Sequence, residues 1–370
     1  MKRRVLMVGR TRYRLPLEGS LARKFDALRA VVELRVLASA PAGAPAGDDT
    51  FTLVPPLSPR ALDGLAFHLG LPFRVARELK AFAPDAILAQ SPHEAAACLL
   101  GRRLAGSSTR IVVELHGDWR TATRLYGSPA RRVLGPLADR LGTSALRHAD
   151  AVRTVSPYTT ALAREVGVEP AATFPAFMDL EPFLGARRPL PPKPLALFVG
   201  VLERYKNVDG LAEAWRAVLA RAPRAELRIV GDGSLRSTVD LLRAEHPESV
   251  MWDTRLTPDG VAAALDAATV LVLPSRSEGM GRVLVEAFCR GRGIVATRVG
   301  GIRDLVADGE SGVLVEPGST DALADALVRV LSDEALAARL GEGAAAAASD
   351  WLQSPEQYAE RIRALVEAAG

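Results

Sequence analysis

Short apolar runs alternate with helical periodicity along most of this chain. Prolines break the alternation once, and then it starts again. In the first half the runs are Val5–Val8, Val31–Leu37, Asp85–Ala89, Ile111–Leu115 and Ala151–Thr154. Between them the spacing predicts helices over Leu21–Leu28, capped by Ser20, and over Pro72–Phe82, Glu94–Leu104 and Arg131–Arg147. Residues 38–50, rich in Ala, Gly and Pro, read as loop. Residues 186–194, Ala-Arg-Arg-Pro-Leu-Pro-Pro-Lys-Pro, carry neither pattern and read as a linker. Apolar runs resume at Leu195–Val199, Glu226–Val230, Val270–Leu273, Ile294–Thr297 and Gly312–Val315, each followed by a helical pattern. Parallel strands need crossover helices and bury both faces, so this order predicts α/β architecture. The expectation is two facing Rossmann-like domains, each a parallel sheet with helices on both faces. They cover residues 1–185 and 195–350. Residues 351–370 form an amphipathic terminal helix with Leu352, Tyr358, Ile362, Leu365 and Val366 on one side. That helix packs on its own domain or returns to the first.

Ligands of open parallel sheets bind at the carboxyl ends of the strands, which directs attention to residues 274–286, Pro-Ser-Arg-Ser-Glu-Gly-Met-Gly-Arg-Val-Leu-Val-Glu. A strand through Leu273 runs into this stretch, and a helix over Val283–Cys289 runs out of it. Gly279 and Gly281 let backbone approach a ligand closely. The amides at the helix start, with the helix dipole, suit an anion. Glu278 and Glu286 bracket the turn with seven residues between them. Carboxylates repel phosphate but accept hydrogen bonds from sugar hydroxyls. Phosphate on backbone with sugars on acid groups describes a nucleotide sugar. The plain alternative is a solvated glutamate on an ordinary strand–turn–helix unit.

Composition narrows the setting. The chain has 370 residues, 48% hydrophobic and 24% charged, enough for two full cores. Cys98 and Cys289 fall in helical apolar patterns and are expected as buried free thiols of a reducing compartment. No stretch approaches the roughly 20 apolar residues of a membrane span, and the apolar run within Met1–Gly9 is short for a secretory leader. A cytoplasmic protein is expected. Residues 1–185 hold 25 Lys and Arg against 17 Asp and Glu, whereas the remainder is net acidic. A basic half suits a phosphorylated substrate or an anionic membrane, so contact with the inner membrane face enters as an expectation. Its basic residues are not interleaved with aromatics, which ranks nucleic acid last.

Five segments of the second half, taken together, resemble the retaining glycosyltransferases of the large nucleotide-sugar family called family 4, which have the GT-B fold. They are Phe198-Val-Gly-Val-Leu-Glu-Arg-Tyr-Lys-Asn207, Ile229-Val-Gly-Asp-Gly-Ser234, the 274–286 stretch, Thr297-Arg-Val-Gly-Gly-Ile-Arg-Asp-Leu-Val306 and Asp308-Gly-Glu-Ser-Gly-Val-Leu-Val-Glu-Pro317. They occur in the family's order over about 120 residues. The first half is similar at Gln90-Ser-Pro-His-Glu94, at Glu114-Leu-His-Gly117 and in the terminal helix, which in that family crosses back to the first domain.

The resemblance implies a role for each matching position. Glu278 contacts the donor sugar's hydroxyls and Glu286 the ribose. Backbone at Gly279, Met280, Gly281, Arg282 and Val283 holds the β-phosphate, and Lys206 neutralises the diphosphate. His116 lies beside the reacting sugar. Gly231, Asp232 and Gly233, with Arg255 and Leu256, border the base. Two departures stand out. Val201 replaces an Arg usual after the glycine at 200, so Arg204 is the substitute charge. In place of a glycine-rich loop after the first strand stands Gly9-Arg-Thr-Arg-Tyr-Arg14, which makes Arg10, Arg12 and Tyr13 candidate phosphate or acceptor contacts.

The expected reaction moves a sugar from a nucleoside-diphosphate donor to a glycan, lipid-linked glycan or small metabolite. No cofactor and no metal are expected: Asp-x-Asp is missing, and His68, His93, His116, His148 and His246 lack metal-ligand spacing. Charge on the leaving diphosphate then falls to Lys206, Arg204 and the helix start. A histidine after a buried strand is commonly structural, but His116 stands at the strand end where ligands bind. The competing classes are a sugar-nucleotide epimerase or phosphorylase of the same fold, a dinucleotide-dependent oxidoreductase and a sugar-binding scaffold. For the oxidoreductase, Arg236 occupies the third glycine's place after Gly231-Asp-Gly233.

Overall fold

The computed structural model describes residues 2–58, 60–121 and 129–368. Two compact units divide the chain: 1–177 with 353–370, and 178–352.

The first unit is built on a seven-stranded, all-parallel sheet ordered β3-β2-β1-β4-β5-β6-β7. Its strands are β1 (Arg4–Arg12), β2 (Glu33–Ser39), β3 (Phe51–Val54), β4 (Ala86–Ala89), β5 (Arg110–Leu115), β6 (Ala151–Thr154) and β7 (Ala172–Thr173). Val5 of β1 lies opposite Leu34 on one side and Ala86 on the other. Successive side chains of a strand point to opposite faces, and here both faces are dry. Val5 and Met7 join a core with Phe25 and Leu28 of α1 (Gly19–Val31); Leu6 and Val8 join another with Phe67, Leu71 and Val75 of α2 (Arg60–Phe82). α3 (Pro92–Ala105), α4 (Pro129–His148) and α5 (Pro157–Glu165) complete that second layer. The terminal helix, α13 (Pro355–Ala368), belongs to this unit. It buries Tyr358, Ile362, Leu365 and Val366 in the α1 core. Each of the three aliphatic side chains contributes roughly 1.5–3 kcal/mol when fully buried.

The second unit has a six-stranded parallel sheet ordered β10-β9-β8-β11-β12-β13. Its strands are β8 (Leu195–Val199), β9 (Glu226–Val230), β10 (Val250–Asp253), β11 (Val270–Leu273), β12 (Gly293–Thr297) and β13 (Gly312–Val315). The helices are α6 (Val208–Arg221), α7 (Arg236–Glu245), α8 (Pro258–Asp266), α9 (Arg282–Cys289), α10 (Ile302–Leu305), α11 (Thr320–Ser332) and α12 (Glu334–Ala347). One continuous core, including the fully buried Trp215, Phe198 and Phe288, fills both faces.

Several boundaries differ from the sequence reading. The units divide at Phe177/Met178, ahead of the proline-rich 186–194, because Met178, Leu180 and Phe183 already pack in the second core. Ser20 lies inside α1, whose N-cap position is Glu18 without a side-chain cap. The second strand begins at Glu33, because Val31 still closes α1. α2 starts at Arg60 and carries Pro72 inside it. Trp351 ends a short 3-10 turn of the second unit and Leu352 is exposed, so neither shares the buried stripe of α13. Residues 369 and 370 of the expected terminal helix lie outside the described residues.

Candidate functional site

In the second sheet, the chain leaves β8 toward β9 on one side and leaves β11 toward β12 on the other. The crevice beyond these two neighbouring strand ends is the switch point at which such sheets bind ligands. Two loops line it, one following each strand. The first contains Lys206, on a 3-10 turn over Arg204–Lys206 that ends at Asn207 in the left-handed region. The second contains Glu278. Lys206 Nζ donates to Glu278 Oε2 at 2.5 Å, and their side chains are only 11% and 14% exposed. Backbone ties fix this approach: Arg276 N donates to Tyr205 O at 2.7 Å, and Arg276 Nη1 to Arg204 O at 3.2 Å. Arg276 also pairs with Asp209 at 2.8 Å.

The turn after Glu278 is held from behind. Gly301 N donates to Glu278 O at 3.0 Å, and a Cβ on Gly301 would sit 2.1 Å from Gly279 O. A side chain there would push the turn away, which gives the second glycine of the Gly300-Gly301 pair its physical reason; Gly300 itself lies in the left-handed region at φ 49°. Gly281, at φ 79°, occupies the N-cap position of α9, a conformation that residues with a Cβ rarely adopt. Met280 and Val283 are nearly buried. Within α9, Glu286 is 7% exposed and accepts from Arg282 Nε at 2.7 Å. Burial raises its carboxyl above the ordinary range, and Arg282 only partly opposes this. Burial likewise pushes the neighbouring Cys289 thiol up to about 11, and Cys98 is buried with its thiol raised too; both cysteines are free.

Around this centre, the 231–233 turn follows β9. Leu202 N donates to Asp232 O at 3.0 Å, and Trp252 Nε1 to Gly231 O at 2.8 Å. Gly233 N donates to the Asp232 carboxylate at 2.9 Å. Arg255 is exposed and Leu256 half-buried, both just beyond β10. Val201 is 46% exposed. The exposed Arg204 side chain makes no ion pair among the described residues, unlike Lys206.

The first unit carries its own cluster. His116 follows β5 and is 41% exposed, with Nε2 3.8 Å from Glu114 Oε2. Glu114 and Arg153 are opposite each other in the β5–β6 register and form a buried ion pair, 2% and 0% exposed. Arg153 Nη2 also donates to the carbonyls of Phe174 at 2.9 Å and Pro175 at 2.7 Å, and its guanidinium lies 4.0 Å from the Phe174 ring centroid. Burial opposes ionisation of Glu114, but Arg153, His116 and Lys24 outweigh it and hold the carboxyl down at about 2. The sequence reading singled out His116 and missed Arg153 and Lys24. For Arg153 a signal exists, one charge inside each of two apolar runs, Ile111–Leu115 and Ala151–Thr154; Lys24, on α1, has none of that kind.

At the end of β1, Arg10 and Arg12 share Asp63, at 3.1 and 3.4 Å. A bond from the Leu57 amide, then these two guanidiniums, hold the Asp63 carboxyl below its usual range. Part of the charge expected to meet a phosphate is therefore already paired. Tyr13, expected as a contact beside them, is a core residue at 3% exposure, packed edge-on to Phe25 and Phe51. Among the described residues no group of three His, Cys, Asp or Glu could hold a metal ion, and no helix is long and apolar enough to cross a membrane.

Two family models match the chain. "Glycosyl transferases group 1" covers residues 186–347 and "Glycosyltransferase Family 4" covers residues 20–181. The D-inositol 3-phosphate glycosyltransferase of Corynebacterium glutamicum is 35% identical over 156 residues, 40% of this chain and 37% of that protein. The chain thus matches about two fifths of the length of such curated relatives. Among solved structures, a sucrose-phosphate synthase from Thermosynechococcus elongatus superposes with a TM-score of 0.78 at 20% identity, covering 99% of both chains. The HepE protein of Anabaena, solved with UDP-glucose, gives 0.70 at 17% identity over 97% of this chain and 99% of its own.

Proposed function

This chain belongs to the family 4 glycosyltransferases, with the GT-B fold, and we propose that it moves a sugar from a nucleoside diphosphate to an acceptor hydroxyl with retention of anomeric configuration. The observation that carries the reading is the Lys206–Glu278 pair at the switch point of the second sheet. A nucleoside diphosphate brings two charges to that crevice. Lys206 then turns toward the diphosphate, which frees Glu278 to accept hydrogen bonds from the donor sugar. Amides at 279–283 take the β-phosphate, and Glu286 takes the ribose hydroxyls.

In the transfer, the bond between the anomeric carbon and the β-phosphate oxygen breaks. The acceptor oxygen bonds to the same face of that carbon, and its proton passes to the departing phosphate. Lys206 stabilises the charge that develops on this leaving group. His116, held by Glu114, is assigned to the sugar's side. The neighbour solved with UDP-glucose makes uridine diphosphate hexoses the first donors to try. The acceptor is a glycan, a lipid-linked glycan or a small metabolite.

The test is a screen of nucleotide sugars by thermal shift and turnover, followed by two variants on the donor found. Glu278→Ala is expected to lower kcat more than affinity, because the sugar must be held as its bond stretches. Glu286→Ala is expected mainly to weaken nucleotide binding. Wild-type turnover in both variants would remove the assignment. Activity is also expected to persist with a chelator; loss restored by magnesium or manganese would contradict the role given to Lys206.

A further inference from the structure

The inward side of α2 is explained by the core, but its outward side is apolar as well. Leu65, Leu69 and Phe73 recur at intervals of four and are 57%, 65% and 67% exposed. α3 lies beside α2, since a Cβ on Gly101 would strike Pro72 O and Val75. It adds Leu100 and Leu104, both about half exposed. α4 lies beside α3, where a Cβ on Gly142 would meet Pro92, and adds Leu137 and Leu141. Seven large apolar side chains thus stand in water on three adjacent helices of one unit. Single exposed leucines need no explanation, but a contiguous apolar face marks an interaction surface.

The charges on these helices select the partner. Arg77, Lys80, Arg103 and Arg140 are exposed among or beside the apolar residues. The acids of the same helices are turned inward. Asp63 is taken up by Arg10 and Arg12, Glu78 by Arg35 at 3.1 Å, and Glu94 by Ser91 and His68. Asp139 is half-buried. Among the described residues, no Asp or Glu on the three helices is exposed. A second copy packed here about a two-fold axis would set this basic face against itself. An anionic bilayer complements both features: apolar side chains enter the headgroup boundary while arginine and lysine stems lie along it with their charges at the phosphates.

We propose that the outward face of α2, α3 and α4 is a docking surface for an anionic phospholipid membrane, which places the protein on a bilayer without crossing it. This inference does not depend on the transfer reaction. It uses neither the switch-point residues nor any acceptor.

The experiment is co-sedimentation of the full chain with vesicles of phosphatidylcholine alone or mixed with phosphatidylglycerol, at low and high salt. Wild type is expected to partition at least ~10-fold more strongly onto the anionic vesicles, with the preference falling as salt screens it. Leu69→Glu with Phe73→Glu is expected to reduce that binding at least ~10-fold without moving the melting temperature, since both side chains are already in water. Arg77→Gln with Arg103→Gln should remove the anionic preference alone. The proposal is overturned if wild type stays in the supernatant of both vesicle types, or if the Leu69/Phe73 variant binds like wild type. A dimer in light scattering that this variant dissolves, with no vesicle binding, would assign the face to a second copy instead.

Discussion

Glu114–Arg153 in the first unit and Lys206–Glu278 in the second are both acid–base pairs at the carboxyl end of a sheet, and they are not equivalent. Glu114–Arg153 is sealed: no more than 2% of either side chain meets solvent, and the guanidinium is further tied to two carbonyls and an aromatic ring. Lys206–Glu278 lies at the rim of a crevice with 11% and 14% exposure, its partners on two loops rather than on two strands. A pair inside a sheet can only be kept or broken. A pair between loops at a switch point can be exchanged for a ligand. Burial and hydrogen-bond saturation therefore distinguish the sealed pair from the one proposed to open for a ligand, although both read as one acid and one base in the sequence.

The largest expected effect comes from breaking the sealed pair. Arg153→Met leaves the buried Glu114 charge without its direct partner, with only His116 and Lys24 still favouring ionisation, and losses of this kind cost about 3–5 kcal/mol. Chemical denaturation is the measurement, and a cost near that of a surface pair, below about 1 kcal/mol, would erase the contrast. Glu114→Leu combined with Arg153→Met should recover much of the loss, because neither charge is then buried alone.

A smaller effect is the pH dependence of the same pair. The Glu114 carboxyl is held at about 2 against an ordinary 4.5, so its folded pKa is depressed. Its stabilising contribution is present above 4.5 and is lost as pH falls toward 2. Melting of wild type against Glu114→Gln across that window should show the difference closing on acidification. A constant difference would contradict the assignment.

Glu286 has the opposite sign and the smallest effect. Burial raises its folded pKa, so the ionised form favours unfolding, and the stability it costs appears as pH rises through 4.5 and above. Glu286→Gln should melt at or slightly above wild type near neutrality, with the gap closing in acid. A variant that melts well below wild type at pH 7 would make the Arg282 contact structural.

Much of the fold is legible in the sequence, but neither ion pair is, and the gaps have identifiable causes. The strands of the second sheet at β8, β11, β12 and β13 are apolar on both faces, which is why unbroken runs revealed them, whereas β9 buries Leu227 and Ile229 and leaves Glu226 and Arg228 half-buried. β3 and β10 escaped notice: each has four residues, sits at a sheet edge and includes polar or exposed positions such as Thr52 and Asp253. The sequence expectation puts the break at the conspicuous prolines of 186–194, whereas the units divide at Phe177/Met178, since Met178, Leu180 and Phe183, apolar residues without periodicity, pack in the second core. Glu278 and Lys206 were each legible from their local motif. Their direct bond was not, since 72 positions separate them and only the order β8-β11 makes their loops neighbours. Tyr13 stands among arginines in the sequence, which suggests a ligand contact, and in the fold its ring completes the cluster with Phe25 and Phe51.

The central claim is that the Lys206–Glu278 pair opens for a nucleoside diphosphate, and calorimetric titration of uridine diphosphate into wild type and Lys206→Met tests it most directly. A hydrogen bond to a charged group contributes about 1.5–3 kcal/mol, so the variant is expected to bind roughly 10–100-fold more weakly. Its melting temperature should fall far less than that of Arg153→Met. Wild-type affinity in a folded Lys206→Met protein would contradict the claim and leave the pair as a second structural bridge.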